Sequence, residues 1–180
     1  QQLSKLFLKT TYNNKSQYYE KISIFSSMIT KEVIFETGDN KQVIYTRNKY
    51  NIVKNVDWEH VKLKIDHEIH HNTVKIIKQN KDSFVCHNSY LPGTLMPAYQ
   101  EIGMRIMHMY ISFSGNAETF GRHKDKDDVL LVQSIGKMTY KFDNGKKCLL
   151  SPGDSLFIPK GVYHDPIVCE PRVTLSFSDD

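Results

Sequence analysis

The residues after position 83 form a succession of short β-type segments with no helical periodicity. Turns around Gly136, Gly145 and Gly153 separate several of these segments. Many short strands at such spacing predict a β-barrel or a β-sandwich. The predicted strands cover residues 84–87, 104–113, 129–134, 138–142, 148–150, 155–159 and 173–177.

The first half of the chain has a different pattern. Residues 32–36 and 42–46 are β-rich and flank a turn, which predicts a hairpin. Between positions 56 and 78 apolar residues recur at helical spacing, which predicts a helix that buries them, although 61–65 also alternates like a strand. The apolar residues of this helix are Trp58, Val61, Ile65, Ile69 and Ile76. Residues 1–31 predict a short helix with irregular structure.

A length of 180 residues is typical of one domain. We therefore expect a single domain over 1–180, in which residues 1–82 are N-terminal additions that pack on a β-barrel core formed by residues 83–180. The fold class expected is mainly β.

Composition excludes several classes of protein. With 39% apolar residues and no apolar run of membrane-spanning length, we expect no contact with a membrane. The net charge of +4 comes mostly from lysine, since only four of the 24 basic residues are arginines, which argues against nucleic acid as a partner. Three cysteines with no C-x-x-C pair and no signal-peptide pattern favour a reducing, cytoplasmic location. An oligomer is compatible with this composition.

The segment from Gly153 to His164 has the pattern G-x5-P-x-G-x2-H. A glycine turn leads into a strand, Pro159 and Gly161 form the next tight turn, and His164 points inward from the strand that follows. This pattern is similar to the second motif of the cupins at every fixed position. The alternative is a glycine- and proline-containing hairpin that ends in a structural histidine.

The second signal is His123-Lys124-Asp125. Residues i and i+2 of an extended segment project to the same side, so His123 and Asp125 can approach one point. With His164 they form a set of two histidines and one carboxylate, which binds Fe(II) and leaves adjacent coordination positions open. Such a tripeptide alone is weak evidence, because a charged loop gives the same pattern.

Residues 104–178 resemble the JmjC-type and cupin-like oxygenases that depend on 2-oxoglutarate and Fe(II). The resemblance depends on the two motifs above, on the apolar segment 128–137 that ends in a Gly-Lys turn, and on the segment 171–177. It implies a double-stranded β-helix (cupin or jelly-roll) barrel. It also implies that His123, Asp125 and His164 hold the iron and that O2 and 2-oxoglutarate are substrates together with an unknown primary substrate, either a protein side chain or a small molecule.

The dianion 2-oxoglutarate needs a fixed cation and a hydroxyl for its distal carboxylate. Arg172 and Thr174 share one face of the last strand, similar to the Arg-x-Ser/Thr pair of many such oxygenases. JmjC relatives more often use a lysine at the position of Met138 here, and Lys137 is one residue away, which reverses its facing direction. Further candidate hydroxyl contacts are Ser114 and Tyr140.

An alternative metal site is the sequence His67-Glu68-Ile69-His70-His71, which satisfies HExxH of zinc proteases. On the predicted helix His67 faces away from the apolar side, and no third ligand is evident, so we interpret 66–72 as a solvated helix face. Two other functions stay open: a metal-dependent cupin isomerase or dioxygenase that does not use 2-oxoglutarate, and a non-catalytic cupin that binds a ligand. Our principal prediction is a 2-oxoglutarate-dependent hydroxylase.

Overall fold

The computed structural model describes residues 31–38, 40–71, 76–79, 82–87 and 96–179. The helices are a 3-10 helix (Asn51–Asn55), α1 (Trp58–His71) and α2 (Met96–Ile102). The strands before α2 are β1 (Glu32–Thr37), β2 (Lys41–Thr46), β3 (Ile76–Gln79) and β4 (Ser83–Cys86). Those after α2 are β5 (Ile106–Ser112), β6 (Val129–Ile135), β7 (Met138–Phe142), β8 (Lys147–Leu150), β9 (Ser155–Ile158), β10 (His164–Val168) and β11 (Arg172–Ser178).

The strands form two antiparallel sheets that wind as a double-stranded β-helix. The larger sheet has the order β1-β2-β9-β6-β11-β5-β4-β3, and the smaller sheet has the order β10-β7-β8. From β6 onward the chain passes from the larger sheet to β7 and β8, back to β9, across to β10 and back to β11. An isolated bridge between His123 and His164 adds the segment before β6 to the smaller sheet. The predicted mainly β fold is confirmed.

The central strands of the larger sheet are buried on both faces. Its outer face packs with the 3-10 helix, α1 and α2 around Val61, Met107 and Phe177, whereas its inner face contributes Leu131 and Leu156 to a cluster with the smaller sheet. All seven residues of β11, which lies between β5 and β6, are buried. Alternation therefore sends Val173, Leu175 and Phe177 outward and leaves the polar residues of β11 on the inner face.

The N-terminal part confirms the predicted hairpin and corrects the predicted helix. Strands β1 and β2 pair with each other, and β2 extends the larger sheet by pairing with β9. Helix α1 ends at His71 rather than at residue 78, because Ile76–Gln79 pairs with β4 as strand β3. Val61 is buried as expected, but Ile69 is 59% exposed. Residues 1–30, for which a short helix with irregular structure is predicted, lie outside the described residues.

The helices and the cysteines bear on the predictions about a membrane and about disulfides. Within the described ranges, no helix is long and apolar enough to cross a membrane. The three cysteines are free thiols, with Cys86 and Cys148 buried and Cys169 exposed.

Candidate metal centre and anion pocket

His123, Asp125 and His164 converge, and each offers one ligand atom such that the three atoms lie within 4.8 Å of one another. The Nε2 atom of His123 is 3.8 Å from Oδ1 of Asp125, and Nε2 of His164 is 3.6 Å from Oδ2 of the same carboxylate. The two imidazole rings meet edge to face, with their centroids 4.4 Å apart. Among the described residues this is the one group of three or more His, Cys, Asp or Glu that could hold a metal ion.

Backbone hydrogen bonds fix this arrangement. The N–H of His123 donates to the carbonyl of His164 and the N–H of His164 donates to the carbonyl of His123, each at 2.9 Å. The N–H of Gly161 donates to the carbonyl of Asp125 at 2.9 Å. The tight turn before β10 is thus attached to the segment that carries the other two ligands, so the centre is part of the smaller sheet.

Both histidines present Nε2 toward the carboxylate. The Nδ1 atom of His123 hydrogen-bonds to the Gly121 carbonyl at 2.8 Å, and Nδ1 of His164 hydrogen-bonds to the Val162 carbonyl at 3.1 Å. A carbonyl only accepts, so each Nδ1 is the protonated nitrogen and Nε2 keeps its lone pair in the neutral ring. Burial lowers the pKa of His164, which favours the neutral form that binds metals.

The donor set fits a divalent transition metal. Two imidazole nitrogens and one carboxylate are the ligands of iron sites with open coordination positions, and backbone carbonyls bound to Nδ1 are the usual outer partners of such histidines. His164 is 3% exposed, whereas His123 and Asp125 are half-buried and border a cavity of about 270 Å³. A metal held by these residues would therefore face this cavity.

Arg172 lines the same cavity and is 3% exposed. Its Nε donates to the hydroxyl of Ser112 and its Nη1 donates to the backbone carbonyl of Tyr110, both at 3.1 Å. Within the described part of the chain, Nη2 makes no hydrogen bond and no acidic side chain forms an ion pair with the guanidinium. Burial lowers the pKa of Arg172, since no carboxylate compensates for the lost hydration.

Two tyrosines face this guanidinium. Tyr140 and Tyr110 both line the cavity, and the guanidinium of Arg172 lies 5.8 Å from the ring centre of Tyr110. Burial raises the pKa of each of these tyrosines to about 12, so both hydroxyls stay protonated and can donate hydrogen bonds. We call Arg172, Tyr110 and Tyr140 the anion pocket.

The remaining residues predicted to contact 2-oxoglutarate do not line the cavity. Thr174 is buried beside the anion pocket, but its hydroxyl donates to Oε1 of Gln133 at 2.8 Å. Lys137 is exposed in the turn between β6 and β7 and does not line the cavity. Ser114 follows the end of β5 and donates to Oδ2 of Asp82 at 3.1 Å, so it does not line the cavity either.

The HExxH sequence does not form a metal site in this structure. His67 and His71 are exposed on α1, and their rings stack with centroids 4.2 Å apart. Glu68 is buried and forms an ion pair with Lys64, so the interpretation of 66–72 as a wholly solvated face is wrong at this residue. His67 and His71 are on the solvent side of α1, as expected.

Sequence reasoning missed four polar residues of the cavity, which we call the histidine wall: His87, His108, Ser176 and Ser178. The missed signal was the alternation of β11, in which Arg172 and Thr174 share a face with Ser176 and Ser178. His108 belongs to the corresponding polar face of β5, and Ser176 is its cross-strand partner. The position of His87 could not be read from alternation, because it follows the end of β4.

Comparison of the sequence with protein-family models and with curated proteins gives no match. Among solved structures, the ribosomal oxygenase YcfD from Escherichia coli with cobalt and succinic acid aligns at 17% identity and a TM-score of 0.46, over 83% of this chain and 39% of its own. The same protein with cobalt and 2-oxoglutarate gives 16% identity and the same TM-score of 0.46, over 88% of this chain and 42% of its own. The chain thus spans about two fifths of that protein's length.

Two other solved structures align with comparable scores. KdgF from Halomonas sp. aligns at 17% identity and a TM-score of 0.44, over 61% of this chain and 91% of its own. A salicylate 1,2-dioxygenase from Pseudoaminobacter salicylatoxidans aligns at 16% identity and a TM-score of 0.45, over 69% of this chain and 34% of its own. Because these identities are low, the function of this chain has to be argued from its cavity.

Proposed function

We propose that this chain is an oxygenase that depends on Fe(II) and 2-oxoglutarate and that hydroxylates its primary substrate. The observation that carries the proposal is the position of Arg172, a buried guanidinium with no acidic partner among the described residues, in the cavity that His123, Asp125 and His164 border. A buried charge is costly unless it is paired, so this cavity favours an anionic ligand.

The dianion 2-oxoglutarate has the two properties that this cavity requires. One end is a carboxylate, which forms charge-assisted hydrogen bonds with a guanidinium. The other end is a 2-oxo acid, whose oxygens are ligands for a divalent metal. When bound, iron and 2-oxoglutarate supply the activation of O2 and the oxidation of a C–H bond, with succinate and CO2 as by-products.

The protein's own contribution is to bind and orient. The bonds of Arg172 to Ser112 and to the Tyr110 carbonyl hold the guanidinium in place, so little conformational entropy remains to be lost when an anion binds. The hydroxyl of Tyr140 would donate the additional hydrogen bond to the carboxylate, whereas the proton of Thr174 is committed to Gln133. Thr174 therefore does not contact 2-oxoglutarate in this proposal, and we also exclude Ser114 and Lys137 from the anion pocket.

Two alternatives lead to different outcomes in solution. A cupin isomerase, or a dioxygenase that does not use 2-oxoglutarate, would bind the metal. It would not bind 2-oxoglutarate at that metal. A non-catalytic cupin would bind a small ligand without requiring metal. Cupin centres with three histidines would have a further imidazole at the position of Asp125. The carboxylate of Asp125 therefore favours the 2-oxoglutarate-dependent oxygenase over these alternatives.

The primary substrate remains a protein side chain or a small molecule in this proposal. Fe(II) is kept ferrous in a reducing compartment, so the proposed activity fits a cytoplasmic location. Lysines dominate the 24 basic residues, which still argues against nucleic acid.

The experiment is an anaerobic titration of the Fe(II)-loaded chain with 2-oxoglutarate. We expect a weak visible charge-transfer band that grows to saturation, because the 2-oxo acid chelates the iron. Metal binding without such a band, and without calorimetric binding of 2-oxoglutarate, would overturn the proposal and favour the metal-dependent cupin. Absence of metal binding would favour the ligand-binding cupin.

A further inference from the structure

A second recess lies on the surface of the barrel, and no residue that lines it also lines the cavity of the metal centre. It has a volume of about 630 Å³ and is bordered by β1, β2, the 3-10 helix, β8 and the turn before β9. Three exposed cations surround this recess, which we call the basic recess: Lys31, Arg47 and Lys54. The proposed function makes no use of it.

The positive charge of the basic recess has no acidic partner among the described residues. The acidic residue that lines it is Asp154, which is buried. The carboxylate of Asp154 accepts hydrogen bonds from the backbone N–H groups of Asn48 and Ser151 and from the hydroxyl of Tyr45, each at 2.9 Å. Lys54 donates to Oδ1 of Asn48 at 2.8 Å instead of to a carboxylate. The basic recess therefore favours a ligand that brings its own negative charge.

The basic recess also has an apolar part. Val33 of β1 is 41% exposed and Leu149 of β8 is 52% exposed, and both line the recess. Val33 belongs to the larger sheet and Leu149 to the smaller sheet, so the recess lies where the two sheets adjoin. A ligand with an apolar side chain would remove this surface from water, which a small inorganic anion cannot do.

The edge of the larger sheet borders the basic recess. Among the described strands, β1 pairs with β2 alone. The N–H of Arg47 donates to the carbonyl of Lys31 at 2.9 Å, whereas the carbonyl of Glu36 accepts from Nδ2 of Asn144 at 2.7 Å. Backbone groups alternate in direction along an antiparallel strand, so those of Ile34 point away from β2, as the carbonyl of Glu36 does. A segment of polypeptide would therefore find backbone partners beside the recess.

We propose that the basic recess docks an acidic segment of a partner protein, in which carboxylates flank a large apolar side chain. The three cations contact the carboxylates, and Val33 and Leu149 contact the apolar side chain. This docking is independent of the proposed function, because it uses none of the residues of the metal centre or of the anion pocket.

Single-stranded nucleic acid is the other anionic polymer to consider, and it fits the basic recess less well. Its bases bind by stacking on exposed aromatic rings. Among the described residues, the one aromatic side chain that lines the recess is that of Tyr45, which is half-buried. The exposed side chains of the recess are instead aliphatic or cationic, which suits an acidic peptide.

The test titrates the full chain with the acetylated and amidated peptide Glu-Glu-Leu-Glu-Glu, while the backbone amide signals of Val33 and Leu149 are followed by nuclear magnetic resonance. Two comparison peptides are Gln-Gln-Leu-Gln-Gln, which lacks the charge, and Glu-Glu-Ser-Glu-Glu, which lacks the apolar side chain. We expect saturable shifts with the first peptide and an affinity about fivefold lower or less for each comparison peptide. Equal affinity for the glutamine peptide would overturn the proposal. Equal affinity for the serine peptide would also overturn it and would assign the recess to small anions.

Variants of the recess test direct contact with the acidic peptide. In the double variant Lys31→Gln and Arg47→Gln, and separately in Leu149→Ser, we expect the affinity to fall about fivefold or more. Lys62→Gln and Leu63→Ser are the matched controls at exposed positions on α1 and should leave the affinity unchanged. Circular dichroism verifies the fold of each variant. Unchanged affinity in both recess variants would overturn the proposal.

A single-stranded oligonucleotide of five thymidines, titrated in the same way, tests the nucleic-acid alternative. If it binds the recess more tightly than the acidic peptide, the docking proposal is wrong. None of these titrations requires metal or 2-oxoglutarate. Failure of 2-oxoglutarate to bind would therefore overturn the proposed function and leave the docking result standing, whereas absence of peptide binding would overturn the docking proposal alone.

Discussion

His123 and His164 are joined by a pair of reciprocal backbone hydrogen bonds, each 2.9 Å long. This antiparallel bridge brings together two histidines that are distant in sequence and holds their rings 4.4 Å apart between centroids. The ligand geometry is therefore determined by the same hydrogen-bond pattern that pairs the strands of the smaller sheet. A metal centre built in this way is organised before the metal binds.

We predict that His123→Ala and His164→Ala each abolish stoichiometric binding of Fe(II) or Mn(II). Loss of an outer partner alone typically lowers metal affinity by about 10- to 100-fold, and loss of a ligand should cost more. Metal analysis after dialysis, with circular dichroism to verify the fold, measures this. Full occupancy in His164→Ala would contradict the assignment.

The control for the metal prediction is the double variant His67→Ala and His71→Ala. Both side chains are exposed and their rings contact each other rather than a third ligand among the described residues. Metal content should equal that of the parent protein. A loss of metal in this variant would instead restore the HExxH interpretation.

We predict that Arg172→Ala lowers the affinity for 2-oxoglutarate by about thirty-fold or more and leaves metal content unchanged. Removing one partner of a buried charge pair costs roughly 2–5 kcal/mol, and each 1.4 kcal/mol is about tenfold in affinity. Calorimetric titration of the metal-loaded protein measures the change. Lys137→Ala, at an exposed position, is the matched control and should have little effect.

The reverse outcome would also be informative about the anion pocket. Unchanged affinity in Arg172→Ala together with a large loss in Lys137→Ala would move the anchor for the distal carboxylate to the turn between β6 and β7. That arrangement would resemble the use of a lysine by JmjC-type oxygenases, although Lys137 is one residue from the corresponding position, and it would contradict the anion pocket.

Sequence reasoning worked where local geometry decides the outcome. The spacing of Gly153, Pro159 and Gly161 determines two turns and the start of β10, and the i, i+2 relation places His123 and Asp125 on one side of the chain. The strands from β4 to β9 and β11 agree with the predicted segments within one or two residues. Each of these features depends on residues close together in sequence.

The sequence-based predictions failed where pairing between distant segments determines whether a segment is a helix or a strand and where it ends. The apolar residue Ile76 suits a helix or a strand equally, and its pairing with Cys86 makes it a strand residue. A strand was expected at His164, but its extent to Val168 was not predicted, because proline is rare inside strands; Pro166 nevertheless pairs with Tyr140 of β7. Ser114 lies beyond Ser112, where β5 and its alternation end, and so turns away from the cavity.

We predict that the free energy of unfolding decreases as the pH rises from about 10 to about 12, and that Tyr140→Phe reduces this decrease. The pKa of Tyr140 is raised from 10.0 to about 12 in the folded protein, so the unfolded chain loses the proton first. Its stabilising contribution is complete below pH 10.0 and is lost as the pH rises through the folded value. A difference of about two units between the folded and unfolded pKa values corresponds to about 2–3 kcal/mol in the free energy of unfolding.

Urea denaturation at a series of alkaline pH values measures the effect of Tyr140→Phe. Between about pH 10 and about pH 12 the free energy of unfolding of the variant should fall less steeply than that of the parent protein. Parallel pH dependence of the two proteins would show that Tyr140 does not ionise in this range.

Finally, we predict that Gly136→Ala destabilises the protein by roughly 3 kcal/mol or more, as the sum of a left-handed alanine and a steric contact, and weakens binding of 2-oxoglutarate. Gly136 has a φ of +67°, and a Cβ there would lie 2.1 Å from the carbonyl oxygen of Pro171 and 3.2 Å from the Cα of Arg172. Relief of that contact requires the start of β11 to move, and the guanidinium of the anion pocket moves with it. Gly145→Ala is the matched control, since its φ is +80° but no atom lies within 4 Å of the added Cβ, so it should cost only the roughly 1–2 kcal/mol of a left-handed alanine. Chemical denaturation and calorimetry of both variants measure the two effects, and equal losses of stability would show that the contact with Pro171 does not constrain this turn.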